Sequence, residues 1–196
     1  MKHVVRSVAV LFTGLVTFGC SDSQTSPRDP QTPSYSLERS NGRPSFAINA
    51  TIVTPAGPVI RLTGGGSWDP STASNTIPTE TTDGHGNGGF SCLANVTIDS
   101  KQCAAGEGVR WDTVQLLKSS GFKCGGVANE SGKTATTDDH VIVLLADFYR
   151  AGDGDNASFR RNMFVSDHDL ADDVPGVQNI WIQGVGCGTG IINFNN

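Results

Sequence analysis

Hydrophobic and polar residues alternate along much of the chain after residue 45. The clearest case is residues 90–98, where every second residue is apolar, as expected for a strand with one buried face. Residues 140–149 are almost entirely apolar, which is typical of a strand buried on both faces. Shorter runs predict further strands at residues 46–53, 59–63, 157–165, 178–184 and 189–194.

Residues 109–120 fit two kinds of secondary structure. Trp111, Val114 and Leu117 would share one face of a helix, and Gly121 would suit the position after its end. However, the Val, Trp and Thr residues of this segment favour extended structure. We therefore predict a strand here, with a helix as the alternative.

Glycine, proline, asparagine and aspartate interrupt the apolar runs throughout. The 196 residues include 24 Gly and 9 Pro, and 17% are charged, which excludes a coiled coil, a collagen and a multidomain array. Eight or nine short strands with such turns predict an all-β fold. We expect residues 46–196 to form a single antiparallel β-sandwich or barrel-like domain with long loops.

The longest polar stretch lies between two predicted strands, at residues 69–89. Its only sizeable apolar residue is Ile77, so we expect a long surface loop, and long loops often carry binding sites. Trp68 at the mouth of this loop is the best candidate for an aromatic side chain that contacts a ligand. The candidate ligand-binding residues are Trp68, Asp69, Asp83 and His85.

The first 45 residues have a different character from the rest. Residues 1–19 combine a basic start at Lys2 with an apolar run, which predicts a signal peptide; the run is too short for a retained membrane span. Residues 21–45 contain four Pro among many Ser, Gln and Thr residues. Such a segment buries too little apolar surface to fold, so residues 20–45 are predicted to be a disordered tether.

Val16-Thr17-Phe18-Gly19-Cys20 resembles the end of a bacterial lipoprotein signal. Thr17 and Phe18 stand where that pattern carries an aliphatic and a small residue. The resemblance implies that Cys20 is acylated and that the protein is held on the cell envelope by its acyl chains. The alternative is ordinary signal cleavage and a secreted product, which leaves Cys20 as an odd thiol.

The other four cysteines form an even set, as expected for two disulfides in an extracytoplasmic compartment. Their intervals of 11, 21 and 63 positions lack the short paired spacing of zinc sites. Three pairings are possible. We favour the one in which Cys92 joins Cys103 across a short excursion and Cys124 joins Cys187.

The charge balance bears on the class of partner. The net charge is −5, and it becomes −7 once Lys2 and Arg6 leave with the signal peptide. Such acidity argues against nucleic acid as a partner, because binding to phosphates needs a surplus of Lys and Arg.

Two acidic clusters offer oxygen ligands of the kind that Ca²⁺ prefers. The candidate metal residues are Asp153 and Asp155 in one cluster and Asp167 and Asp169 in the other. Neither cluster completes an EF-hand loop, and solvated turn residues are the alternative. A structural Ca²⁺ is the only cofactor that the sequence suggests.

The sequence predicts no catalytic residues. After the signal peptide only His85, His140 and His168 remain, and the chain has neither a Gly-x-Ser-x-Gly elbow nor a His-Glu-x-x-His helix. We therefore expect an envelope-anchored or secreted domain with a binding or structural role, whose ligand is a glycan or a protein. The alternative is an extracytoplasmic glycan hydrolase that uses acidic residues.

Several short motifs occur in a recognisable order. They are Leu-Thr-Gly-Gly-Gly-Ser-Trp at 62–68, Gly-Gly-Phe at 88–90, Asp-Gly-Asp at 153–155, Phe159 and Gly-Ile-Ile at 190–192. This order resembles the post-COAP type of small secreted bacterial β-domain. The resemblance implies an all-β domain and transfers no catalytic residue.

Overall fold

The computed structural model describes residues 43–54, 57–76, 84–98, 100–125, 127–150 and 159–195. Within these ranges the chain forms twelve strands and one short 3-10 turn at Pro70–Thr72. The strands are β1 (Ser45–Thr54), β2 (Gly57–Trp68), β3 (Gly84–Cys92), β4 (Val96–Ile98), β5 (Lys101–Cys103), β6 (Gly108–Leu117), β7 (Ser119–Phe122), β8 (Lys133–Thr136), β9 (Val141–Arg150), β10 (Phe159–Ser166), β11 (Ile180–Ile182) and β12 (Gly186–Asn195).

Eight of these strands form a closed antiparallel barrel in the order β1-β2-β3-β6-β9-β10-β11-β12, with β12 paired back to β1. The two small hairpins, β4–β5 and β7–β8, are insertions between successive barrel strands. The barrel therefore follows the chain order as a simple meander. The predicted all-β, barrel-like fold with two disulfides is confirmed.

Apolar side chains fill the interior of the barrel, as is usual for eight strands. Alternate residues of each strand point inward, and the largest of these side chains are aromatic. Trp68 contacts Phe46 edge to face with ring centroids 6.0 Å apart, and Phe90 contacts Phe148 in the same way at 5.2 Å. The interior is a packed core, and the polar residues of these strands lie on the outside.

A second apolar cluster covers the outside of β9, β10 and β11. Phe122 of the β7–β8 hairpin packs on Phe164 and Trp181, and Val143 joins them. This outer layer explains why residues 140–149 lack alternation, since both faces of β9 are buried along its first half. Among the described residues, no such apolar layer covers the outside of β1, β2 and β12, where Asn49, Arg61 and Ile191 are exposed.

Glycines allow unusually close contact between β2 and β3. A Cβ atom on Gly88 would lie 1.9 Å from the carbonyl oxygen of Thr63, and one on Gly66 would lie 1.8 Å from that of His85. Gly64 has a φ angle of +143°, which residues with a side chain rarely adopt. The glycine-rich segments are therefore part of the barrel wall.

Three expectations about local structure are settled by the strand bounds. Residues 109–120 are extended, as predicted, and form β6 and β7 with a bulge between Thr113 and Gln115. Residues 90–98 do not form one strand, because β3 ends at Cys92 and β4 begins at Val96. The predicted loop at 69–89 is too long, since residues 84–89 belong to β3.

Both predicted disulfides are present. Cys92 joins Cys103 with a Cα–Cα distance of 6.1 Å, and Cys124 joins Cys187 with a distance of 4.7 Å. These bridges agree with an oxidising, extracytoplasmic compartment. No helix in the described ranges is long and apolar enough to cross a membrane.

Candidate functional site

Polar side chains meet on the outer surface where β3, β6, β9 and β10 lie side by side. Asn87 of β3 is directly opposite Asp112 of β6, which is opposite Asp147 of β9, which is opposite Arg160 of β10. A second row, displaced by two residues in each of β3, β6 and β9, contains Gly89, Arg110 and Tyr149. Their neighbours in the strands, including Trp111 and Phe148, point into the core.

Between these rows lies a depression of about 370 Å³, which we call the polar cleft. It lies where the pairing of β3 with β6 ends at Asn87 and Asp112, next to the bulge in β6. Gly88 and Gly89 provide a floor without side chains. The lining residues are Asn87, Gly88, Gly89, Arg110 and Asp112.

Tyr149 and Asp112 are joined by a short hydrogen bond. The Tyr149 hydroxyl donates to Oδ2 of Asp112 at 2.5 Å. This hydrogen bond and partial burial raise the pKa of Tyr149, so the phenol stays protonated as the donor. Tyr149 thus fixes the Asp112 carboxylate at the edge of the cleft and leaves its other oxygen as an acceptor.

Asp147 is an unusual neighbour for Asp112, because like charges directly across a strand pair destabilise a sheet. Its Oδ2 lies 3.6 Å from Nε of Arg160, which offsets part of the repulsion. Its Oδ1 is enclosed and accepts no hydrogen bond from the described residues. A buried acceptor without a donor costs about 1–3 kcal/mol. The fold therefore keeps two adjacent carboxylates here at a cost.

A second depression, of about 530 Å³, lies beside the Cys124–Cys187 bridge. Its walls include Val53, Val174 and Val177, and none of its lining side chains is ionisable. It offers mainly apolar contact. The smaller polar cleft is the better candidate site because its donors and acceptors converge.

The structure describes three of the four predicted ligand-binding residues, and they occupy different environments. Trp68 is completely buried, and its Nε1 donates to the carbonyl oxygen of Asp138 at 3.1 Å, so the prediction of an exposed aromatic at this position is wrong. Its indole packs against Phe46 and Phe194 in the core. Burial of this large apolar side chain is favourable, although the residues that follow it in the chain are polar. Asp83 lies outside the described residues.

Asp69 and His85 have different positions. Asp69 accepts hydrogen bonds from the hydroxyl and the backbone N–H of Ser71, which hold the pKa of its carboxyl below the usual value. It caps the 3-10 turn. His85 is exposed on β3, two residues from Asn87 and on the same face. Of the four predicted residues, His85 lies beside the polar cleft.

Of the four predicted metal residues, the structure describes Asp167 and Asp169. Asp153 and Asp155 lie outside the described residues, and calcium binding there stays a prediction. Asp169 accepts hydrogen bonds from the backbone of Ala171 and Gln178, which stabilise its own loop. The described part of the chain contains no group of three or more His, Cys, Asp or Glu side chains arranged to hold a metal ion.

Asp167 instead bridges two histidines. Its Oδ2 lies 2.7 Å from Nδ1 of His140, and its Oδ1 lies 2.8 Å from Nδ1 of His168. Burial pushes the pKa of Asp167 upward, but the hydrogen bonds from the two histidines outweigh this and hold it below its usual value. The hydrogen bond to Asp167 raises the pKa of His140. The contact between His140 and Asp167 ties the turn before β9 to the turn after β10.

This contact predicts a pH dependence of stability. Because the pKa of His140 is raised in the folded state, its contribution is complete below the usual value of about 6.5 and is lost as the pH rises through the folded value. We expect His140→Gln to destabilise the protein more at about pH 5.5 than at about pH 9. Urea unfolding at both pH values measures this, with His85→Gln as the control. Equal losses at the two values would contradict it.

Sequence reasoning missed the residues of the polar cleft, although a signal was present. Arg110-Trp111-Asp112 and Asp147-Phe148-Tyr149 are two polar-aromatic-polar triplets in neighbouring predicted strands. In each triplet the central residue, Trp111 or Phe148, points inward, and the two flanking residues point outward. The site would have been identified if the two triplets had been placed opposite each other. That placement depends on the register of the two strands, which cannot be read from the triplets alone.

Comparisons with known proteins give no relative from which a role could be transferred. No protein-family model, curated protein or solved structure matches this chain.

Proposed function

We propose that this domain is a non-catalytic, extracytoplasmic module that binds a glycan in the polar cleft. The observation that carries the proposal is the convergence of Asn87, Arg110 and Asp112 around a floor of two glycines. Tyr149 supports it by fixing the orientation of Asp112. A few precisely placed polar groups are what orient a ligand in a depression and give a site its specificity.

The groups of the cleft match the chemistry of sugar hydroxyls, each of which both donates and accepts hydrogen bonds. Asp112 accepts, Arg110 donates, and the Asn87 amide does both. Asp147 lies directly opposite Asp112 and 18% of its side chain is exposed, so its carboxylate is a further acceptor beside the cleft.

A test of this proposal compares binding by two variants with binding by the natural protein. Because a hydrogen bond to a charged group contributes about 1.5–3 kcal/mol, we expect Asp112→Asn and Arg110→Ala each to weaken glycan binding at least tenfold. Isothermal titration against soluble cello-, xylo-, manno- and chito-oligosaccharides measures the affinity. Asp172→Asn, an exposed acid outside the cleft, is the matched control. Unchanged affinities in both variants would contradict the proposal.

A second candidate function follows from the carboxylate pair. Asp112 and Asp147 are direct neighbours across β6 and β9, and most glycosidases use two carboxylates on either side of the bond that they cleave. The same oligosaccharides test this candidate. Release of shorter products that stops in Asp147→Asn, with binding retained, would favour a hydrolase over a binding module.

We further propose that the domain is anchored to the cell envelope by acyl chains on Cys20, which lies outside the described residues. The lipoprotein-like residues 16–20 and the even number of the remaining cysteines support this proposal. We expect the mature protein to partition into detergent and Cys20→Ser to release it into the aqueous phase. A protein that stays in the aqueous phase without the substitution would contradict the anchor.

A further inference from the structure

On the β3 side of the polar cleft, the outer surface of the barrel continues across β2, β1 and β12. We infer that the ligand is an extended, neutral polysaccharide chain that runs from the cleft across β2 and β1 to β12. This inference rests on the proposed glycan binding and adds the length, direction and charge of the ligand.

The strand register carries the argument. The row that contains Asn87 continues through Gly65 of β2 and Ala47 of β1 to Asn193 of β12. The row that contains Gly89 continues through Thr63, Asn49 and Ile191 in the same strands. Both rows therefore extend beyond the cleft without interruption, and we call this surface the extension (Ala47, Asn49, Thr63, Gly65, Ile191 and Asn193).

Burial shows that the extension lies on the outside of the barrel. Phe46, Ile48 and Leu62 alternate with its members and are buried in the core. Asn49, Ile191 and Asn193 are exposed, Ile191 to 68%. Thr63 Oγ1 would lie 3.1 Å from a Cβ atom on Gly89, so the hydroxyl stands at the entrance from the cleft.

The dimensions suit a chain rather than a single sugar. Neighbouring strands are about 4.8 Å apart, so the three steps from β3 to β12 add about 14 Å to the cleft, measured along the curved wall of the barrel. Residues two apart in a strand are separated by about 6.8 Å, which leaves a lane between the two rows. Ala47 and Gly65 keep this lane low. A lane of this shape accommodates a row of sugar rings that crosses the strands.

The side chains of the extension select the class of polymer. They comprise two amides, one hydroxyl, one exposed isoleucine and two residues with little or no side chain, and none of them is charged. An acidic polysaccharide or a nucleic acid would find no cation among these six residues, and the neighbouring cations, Arg110 of the cleft and Arg61 of β2, are fewer than such a polymer needs. A protein interface of ordinary strength would need larger anchors. A neutral glycan uses the amides and the hydroxyl for hydrogen bonds and the isoleucine for its apolar ring face.

The test is the dependence of affinity on chain length, measured by isothermal titration with disaccharides to hexasaccharides of the cello-, xylo-, manno- and chito- series. For the natural protein we expect the hexasaccharide to bind at least tenfold more tightly than the shortest oligosaccharide that binds. The double variant Asn49→Ala/Asn193→Ala should remove most of this gain and leave the affinity of the short oligosaccharide unchanged. Asn129→Ala, at an exposed turn, is the control.

A third variant, Ala47→Trp, tests the lane directly, because a large side chain on an outward position of β1 should block long chains and not short ones. Circular dichroism and the unfolding midpoint establish that each variant is folded.

Two outcomes would overturn this inference while the proposed glycan binding stands. In the first, affinity does not grow with the length of the oligosaccharide. In the second, it grows equally in the natural protein, the double variant and Ala47→Trp. Absence of binding by every oligosaccharide would overturn both.

Discussion

Replacing Cys124 and Cys187 together with alanine is expected to lower the free energy of unfolding by about 4 kcal/mol. The bridge spans 63 positions, so its loss greatly enlarges the conformational freedom of the unfolded chain. It also ties the end of the β7 region to β12 of the barrel wall. Guanidinium denaturation under non-reducing conditions measures the loss.

The second bridge provides the comparison. Cys92 and Cys103 are only 11 positions apart, so the same double replacement should cost less, about 3 kcal/mol. If Cys92→Ala/Cys103→Ala lowered the free energy of unfolding more than Cys124→Ala/Cys187→Ala, loop closure would not determine how much each bridge stabilises the protein. Packing around the buried Cys92 would then contribute more to stability than loop closure does.

Gly88→Ala should have the next largest effect, a loss of about 3 kcal/mol, at the upper end for an overpacked site. The added Cβ would lie 1.9 Å from the carbonyl oxygen of Thr63 and 2.6 Å from Nε1 of Trp111. These two atoms are hydrogen-bonded to each other at 3.0 Å, so the new methyl group would push apart a contact between β2 and β6. Urea denaturation measures the change.

The matched control is Gly108→Ala at the start of β6. A Cβ atom there would meet no heavy atom within 4 Å, and the φ angle of Gly108 is not in the left-handed range. We expect this variant to be as stable as the natural protein or slightly more stable. If Gly88→Ala behaved like Gly108→Ala, the close approach of β2 and β3 would be refuted.

Local pattern was sufficient to predict most barrel strands and both disulfides. Residues 46–53 alternate because one face of β1 fills the barrel, and the apolar run at 140–149 reflects two covered faces. The pattern did not reveal β3 between residues 84 and 89, because the four glycines and two polar residues before Phe90 have little intrinsic preference for a strand. Their extended structure is imposed by neighbouring strands.

The candidate site was harder to predict for a different reason. Asp112 lies more than thirty positions before Asp147 and Tyr149 in the chain, and the register of β6 against β9 sets them opposite one another. The prediction for Trp68 was wrong because its sequence neighbours are polar, whereas its contacts are with Phe46 and Phe194 from β1 and β12. Both outcomes depend on non-local pairing.

The pairing of β12 with β1 has a consequence for the way in which the domain is made. Contacts such as Ser45 with Asn195 join residues at opposite ends of the fold, and proteins dominated by such distant contacts fold slowly. While the chain is being made, the edge of β1 that pairs with β12 stays open until residues 186–195 are available. The domain therefore passes through a stage in which an unpaired sheet edge needs protection from association with other chains.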